Sequence, residues 1–341
     1  MKKIIILLAA AVMMSAGCSA DGTGGSRKTV KEIRIGIQQS LSPLLIAKEK
    51  GWFEEAFKKD GIKVKWVEFQ SGPPQFEGLA ADKLDFSQVG NSPVISGQAA
   101  GIDFKEIGLS QDGLKANGIL VNKGSEIQSL KELKGKKIAV AKGSSGFDFL
   151  YKALDKAGLS ADDKALDKAG LSADDVTIIQ LQPDEAVSAF ENKSVDAWSI
   201  WEPYLSIETL QHGAEILANG ESTDLYSPGF TLVRTGFSKE HPDEVVRFLK
   251  VFNKAVTWQK EHKDEAVSLY AKIKHLDPKV VRNVLNNTEP LNEPINDDIV
   301  KAQQETADFQ YQTKAIHKKI HVKDVVDNSF IKKALETGDG K

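Results

Sequence analysis

The sequence predicts an α/β protein with mostly parallel sheets, divided into two lobes. Three observations predict it. Short runs rich in β-branched residues alternate with longer helical patterns, as expected where helices cover sheets. In the long helical stretch after Glu240, apolar residues recur at steps of three and four. The 341 residues, 41% hydrophobic and 27% charged, are enough to bury one large core or two medium ones, and two lobes are the preferred reading.

Taken in order, the strand candidates are EIRIGIQ from Glu32, KVKWVEF from Lys63, GILVNK from Gly118, KIAVAK from Lys137, VTIIQL from Val176 and FTLVRT from Phe230. Between them, PLLIAKEKGWFEEAF from Pro43 reads as one helix, and residues 129–134 as another. From Glu240 onward the pattern is almost wholly helical, with Val245, Leu249, Phe252 and Val256 forming one apolar face. That face is core.

The segment KALDKAGLSADD occurs twice in succession, over 152–163 and 164–175. Twelve residues turn a helix by a net rotation of about 120°, so one continuous helix could not hold both copies' apolar faces on the same core. Gly158 and Gly170 also favour a stop. One copy should finish a helix and the other leave the surface as an excursion.

The beginning of the chain carries Lys2 and Lys3, an apolar run over 4–14, then Ser15, Ala16, Gly17 and Cys18. Eleven apolar residues are too few to span a bilayer and suit a cleaved export signal over 1–17. Small residues before a cysteine resemble the lipobox of bacterial lipoproteins, in which Cys18 would be acylated and become the new amino terminus. The lipobox leucine is replaced here by Ser15. Residues 18–31, rich in Gly, Ser, Asp and Thr, read as a flexible tether to the membrane. Cys18 is the chain's single cysteine, so no disulfide, thiolate nucleophile or cysteine-held metal is expected in the domain.

A formal charge of -3 gives no basic patch of the kind a phosphate backbone demands, and nucleic acid is not an expected partner. The lysines are scattered through helical stretches as solvated faces. His212, His241, His262, His275, His317 and His321 also sit in helical, mostly charged stretches and are expected at the surface, with neither metal nor cofactor.

Four segments carry functional chemistry. In VEFQSGPPQFEGLAA from Val67, Ser71, Gly72 and Pro73 open a helix; in DFSQVGNSPVISGQAAG from Asp85, Gly90, Asn91 and Ser92 do so; in KIAVAKGSSGFDFL from Lys137, Gly143, Ser144 and Ser145 follow a strand and open a third. A helix amino terminus offers unpaired N–H groups and a partial positive charge, enough to hold a monoanion without an arginine. The fourth segment, VDAWSIWEPYLS from Val195, packs Trp198, Trp201, Glu202 and Tyr204 into seven positions. On a strand Trp198 and Trp201 would face opposite sides. Trp201, at the strand end beside Glu202 and Pro203, is the one expected at a ligand. Glu202 either accepts from a ligand ammonium or caps a neighbouring helix.

The segments PLLIAKEKGWF, WVEFQSGPP, VGNSPVISGQAAG, LKGKKIAVAKGSS, VDAWSIWEPY and QQETADFQYQ, in this order, resemble the aliphatic sulfonate-binding proteins of ABC transporters, with taurine- and nitrate-binding proteins as relatives. The resemblance runs from Glu32 to about Val326. It implies a two-lobe, type II periplasmic-binding-protein-like fold with the ligand cleft between the lobes, lobe 1 being 32–117 plus 230–338 and lobe 2 being 118–229. It implies that Ser71, Gly72, Asn91, Ser92, Ser144 and Ser145 hold a sulfonate, that Trp201 and Phe230 shape its organic end, and that Gln38 is a further donor. Asn91 stands where the family often has Asp. The implied chain is a monomer outside the cytoplasm, lipid-anchored at Cys18, partnered by permease and ATPase subunits, and not an enzyme. Enzymes on the same fold need cysteine or clustered histidines, and a sensory lipoprotein without a transporter remains an alternative.

Overall fold

The computed structural model describes residues 30–159, 161, 162 and 175–336. The expected export signal, Cys18, most of the tether and nearly all of the second repeat copy lie outside the described residues. Within them the chain runs β1 (Glu32–Gln38), α1 (Pro43–Glu49), α2 (Trp52–Lys58), β2 (Lys63–Phe69), α3 (Gly72–Ala80), β3 (Phe86–Gly90), α4 (Asn91–Ala99) and β4 (Phe104–Gln111) in the first lobe. It crosses into β5 (Asn117–Val121), β6 (Lys137–Val140), α5 (Ser145–Lys156), β7 (Ala161–Asp162), β8 (Val176–Gln180), α6 (Pro183–Glu191), β9 (Ala197–Trp201), α7 (Tyr204–Ile207), β10 (Glu215–Asn219) and α8 (Gly220–Thr223). It then returns through β11 (Gly229–Arg234), α9 (Thr235–Glu240), α10 (Pro242–Glu261), α11 (Lys263–Lys274), α12 (Pro278–Asn287), β12 (Pro290–Glu293), α13 (Asp297–Gln312) and α14 (Ser329–Glu336).

Two six-stranded sheets result, in the orders β12-β4-β11-β3-β1-β2 and β10-β5-β9-β6-β8-β7. Each is covered on both faces. Ile33, Ile35 and Ile37 of β1 pack with Phe248, Leu249 and Phe252 of α10, while Phe230 and Leu232 of β11 join Phe76 and Leu79 of α3 on the other side. In the second sheet Ile119 and Val121 face α5, and Leu120 between them faces Trp198 and Phe190. This is the alternation a buried strand requires.

Three expectations need correction. The sheets are mixed: β1–β2, β1–β3, β6–β8, β6–β9 and β7–β8 are parallel, but β3–β11, β4–β11, β4–β12, β5–β9 and β5–β10 are antiparallel. A chain that leaves a lobe on one strand and returns on its neighbour must reverse direction. Hence β4 with β11, and β5 with β10, are antiparallel. The helix expected from Pro43 is two, because Gly51 adopts φ +65 between them, a left-handed conformation that ends one helix and starts the next. Residues 129–134 hold a short 3-10 turn, Leu130–Leu133, with a Ser129–Glu132 capping box.

The first repeat copy finishes α5, which ends at Lys156, and Gly158 follows at φ +71. The two crossing segments lie against each other at glycines. A Cβ on Gly113, itself at φ +79, would stand 1.8 Å from the Ser227 carbonyl oxygen, and one on Gly220 would stand 2.1 Å from that of Leu114. No side chain fits there.

One buried acid is set into this frame. Glu106 of β4 is fully buried; its Oε1 accepts from Gln303 Nε2 at 2.7 Å, and its Oε2 has no partner among the described residues. Burial pushes its carboxyl up to about 8, against an opposing pull from the Gln303 bond. A folded-state value above the unfolded one means that the associated stability is full below about 4.5 and is lost as pH rises through about 8. Glu106→Gln, which imitates the protonated acid, should therefore overtake the native chain in urea unfolding as pH climbs from 5 to 9. The gap should widen by at most about 1.4 kcal/mol per pH unit. A pH-independent gap would refute the assignment.

Candidate functional site

Between the sheets lies a cavity of about 100 Å³, lined from both lobes. That is room for several water-sized groups, below the size of a site for a large organic ligand. Gly72 of α3, Gly90 and Pro93 at the start of α4, and Ser144 and Ser145 at the start of α5 all line it. A fourth helix start, α1, contributes Ser42 and Pro43. Serine followed by proline before an apolar run is an N-cap signature, so Ser42 was legible but was not singled out.

Helix geometry leaves the first amides of each helix without intrahelical partners. Proline trims this supply. Pro73 and Pro74 have no N–H, so the first turn of α3 offers Gly72 alone; Pro93 leaves Asn91 and Ser92 at α4. At α5 the Phe147 amide is taken by Ser144 Oγ at 3.1 Å, leaving Ser145 and Gly146. Ser144 in turn donates its hydroxyl to the Ala141 carbonyl at 2.7 Å. Its role is that of a cap.

The starts meet across the lobes. A Cβ on Gly90 would be 3.0 Å from Ser145 Cβ, and one on Gly143 would be 3.6 Å from the Pro73 ring. Hydrogen bonds join the lobes around the cavity: Ser71 Oγ to Gln182 Oε1 at 2.9 Å, Tyr204 Oη to Gln39 Oε1 at 2.9 Å, Gln310 Nε2 to Asp148 Oδ1 at 3.0 Å, and Lys152 Nζ to Thr306 Oγ1 at 2.6 Å.

Among the lining residues there is no lysine, arginine or histidine, and Glu202 is the one carboxylate. Burial raises its carboxyl above the usual range, against bonds from Asn287 and Ser206 that lower it. Oε1 accepts from Asn287 Nδ2 at 2.7 Å and Ser206 Oγ at 2.8 Å; Oε2 accepts from the Ser206 amide at 3.1 Å. Of the two roles open to Glu202, this is the cap, and it also ties α7 to α12. A second cavity, about 270 Å³, carries Lys142, Lys314 and His317, all exposed; their charge sits in solvent.

Of the expected site residues, Gln38, Gly72, Gly90, Ser144, Ser145, Trp201 and Glu202 line the cavity. Trp198, on the opposite face of β9, is fully buried in the core. Gln38 Nε2 is engaged with the Gln88 carbonyl at 2.9 Å. Ser71, Pro73, Asn91, Ser92 and Phe230 are not in the lining. Ser71 bridges the lobes, Pro73 faces Gly143, and Ser92 Oγ accepts from Gln310 Nε2 at 2.9 Å. The Asn91 side chain is buried behind the start of α4. Strand alternation turns Phe230 into the core under α3 and leaves its neighbour Gly229 in the cavity wall. Sequence reasoning missed Ser40, Gln88, Ser110, Asn117, Ser227 and Thr288, which come from strands, a helix end and the crossings and have no local signature.

A family model described as NMT1/THI5 like matches residues 38–266. A relative from Bacillus subtilis (strain 168), whose name assigns it to the aliphatic sulfonates-binding proteins, is 80% identical over 336 residues, 98% of each chain. A protein of the same name from Escherichia coli (strain K12) is 32% identical over 94% of this chain and 95% of its own. The solved alkanesulfonate-binding protein SsuA from Xanthomonas axonopodis pv. citri, bound to MOPS, superposes with TM-score 0.78 at 31% identity, over 88% of this chain and 99% of that one.

The tightest constraint in the site is at Gly72, where a Cβ would stand 2.6 Å from Pro93 Cγ and 3.0 Å from Pro93 Cβ. The proline ring cannot turn aside. Gly72→Ala should lower unfolding free energy by about 1–3 kcal/mol, the range for overpacking. Pro93→Ala removes the nearest ring atom, so Gly72→Ala should cost less in that background. Equal losses in urea unfolding with and without Pro93 would show that the Pro93 contact is not the cause.

Proposed function

The chain belongs to the NMT1/THI5-like family, among its aliphatic sulfonate-binding members, and we propose that it captures an alkanesulfonate between its lobes for an ABC importer. The observation that carries this reading is the convergence of helix starts on a small cavity whose lining has no cationic side chain. A sulfonate is the anion of a strong acid; at physiological pH its three oxygens accept hydrogen bonds and donate none. A wall of amides and hydroxyls suits it. The partial positive ends of helices supply the field, undiluted because the surroundings are poorly solvated.

Binding here follows the amides of Gly72 and Ser145, with the Ser145 hydroxyl beside them and Gly90 and Pro93 walling the start of α4. Trp201 covers the carbon chain at the other end. Glu202 already accepts three hydrogen bonds, which favours a plain alkyl tail over one ending in ammonium, and so an alkanesulfonate over taurine. Because the ligand touches both lobes it favours their closed arrangement, the form a permease would read. No catalytic step is assigned: the lining holds neither a cysteine nor a histidine. We place the chain outside the cytoplasm, held by lipid at Cys18, on the pattern of residues 1–18. Among the described residues no helix is long and apolar enough to cross a membrane.

Calorimetry of the purified chain against methanesulfonate, longer alkanesulfonates, taurine, nitrate, sulfate and phosphate tests this. An alkanesulfonate should bind with Kd of about 1 µM or tighter, ahead of taurine. Ser145→Ala should weaken it about tenfold, the loss of one hydrogen bond to a charged group. Ser144→Ala should act through stability instead, at about 1 kcal/mol for a lost cap. Lys142→Ala with Lys314→Ala should leave affinity unchanged. Tight phosphate binding, or loss of sulfonate binding in the lysine variant, would overturn the reading.

A further inference from the structure

The histidines are scattered in sequence, but folding brings one of them to two carboxylates. Glu191 ends α6, while Glu208 and His212 open and close a single five-residue turn of π-helix, Glu208–His212, in the same lobe. Each offers one ligand atom, and the three atoms lie within 4.8 Å of one another. His212 Nδ1 is 3.5 Å from Glu191 Oε1, too far for a good hydrogen bond. Both are exposed, and alone they would be an ordinary surface pair.

Glu208 makes the difference. It is 1% exposed, and its Oε2 has no hydrogen-bond partner among the described residues. A buried carboxylate oxygen without a donor is unfavourable and rare enough in native proteins to require a reason. Single π-helical turns within longer helices are also frequent at functional sites.

We propose that Glu191, Glu208 and His212 form a binding site for a divalent transition-metal ion of the zinc class. One imidazole nitrogen and two carboxylate oxygens are a donor set that zinc accepts, with a fourth position left to water. Magnesium keeps most of its waters and prefers octahedral oxygen sites, so it fits poorly. The ion answers the unpartnered Glu208 oxygen directly and converts the loose Glu191–His212 approach into shared coordination. None of the three residues lines the anion cavity, so metal binding is separable from capture of an anion.

The test is calorimetric titration of the untagged, chelator-stripped full-length chain with zinc chloride, with magnesium chloride as control. One zinc per chain should bind, with Kd of about 1 µM or tighter, and magnesium should give no saturable heat. His212→Ala and Glu191→Gln, both at exposed positions, should each weaken zinc about tenfold or more and leave the metal-free melting temperature unmoved. Cobalt should give visible absorption bands in the native chain that are absent from His212→Ala. The proposal fails if no stoichiometric zinc binds. It also fails if zinc binds equally well to both variants, which would move the ion to another histidine.

Discussion

The structure depends on one electrostatic arrangement: the positive ends of several helices aimed into a cavity with no cationic side chain in its lining. Unpaired amides are tolerable at a protein surface, where water satisfies them, and unfavourable inside. Here they converge where water is partly displaced by two lobes coming together. In the proposed complex an anion completes the hydrogen bonding that the backbone leaves open. The glycines follow from this. At Gly72 Pro93 comes too near for a Cβ, and at Gly90 one would press tightly on Ser145 across the lobes.

That arrangement exists because the chain crosses between the sheets twice. The crossings touch at Gly113 and Gly220, and both strand pairs beside them, β4–β11 and β5–β10, are antiparallel. A pair of adjacent crossings is the kind of connection about which two lobes can hinge. The bonds that hold the lobes together then lie on opposite sides of the cavity. Ser71–Gln182 and Gln310–Asp148 stand near the starts of α3 and α5; Asn287–Glu202 and Asn283–Ser206 stand near α7. In the proposed complex a ligand between them adds to contacts already made around the cavity.

Much of this was legible in sequence, for physical reasons. The strands from Glu32, Lys63 and Val176 begin where expected because β-branched residues mark them. β4 was passed over because Lys105, Glu106 and Gly108 break its apolar pattern; tertiary burial between β11 and β12 makes it a strand regardless. Helix starts were legible from Gly, Ser and Pro, the residues that cap and open helices. Which atoms of those starts face the cavity was not, since that depends on proline removing amides and on the parity of strands. Phe230 and Gly229 differ by one residue and so by a whole face. Partners distant in sequence, such as Gln310 for Asp148 or Gln303 for Glu106, have no local signal at all.

The repeat shows how such a site tolerates change. The end of α5 that lines the cavity is its amino terminus, fixed by the Ser144 cap, by Asp148 against Gln310, and by Gly146 set 3.1 Å, at its Cβ position, from the Ser199 carbonyl. Its other end lies about 18 Å away, at 1.5 Å per residue over twelve residues. There Gly158 takes a left-handed turn that closes the helix whatever follows. β8 then begins at Val176, directly after the second copy, and pairs with β6 in continuous register from Lys137–Thr177 to Val140–Gln180. The finished helix and the paired strand are each held by contacts outside residues 163–174, so twelve residues added there need alter neither. The same addition within the first turn of α5 would rotate Ser145 and Gly146 by about 120° away from the cavity. Position relative to the helix start, more than the size of the insertion, decides whether the site survives it.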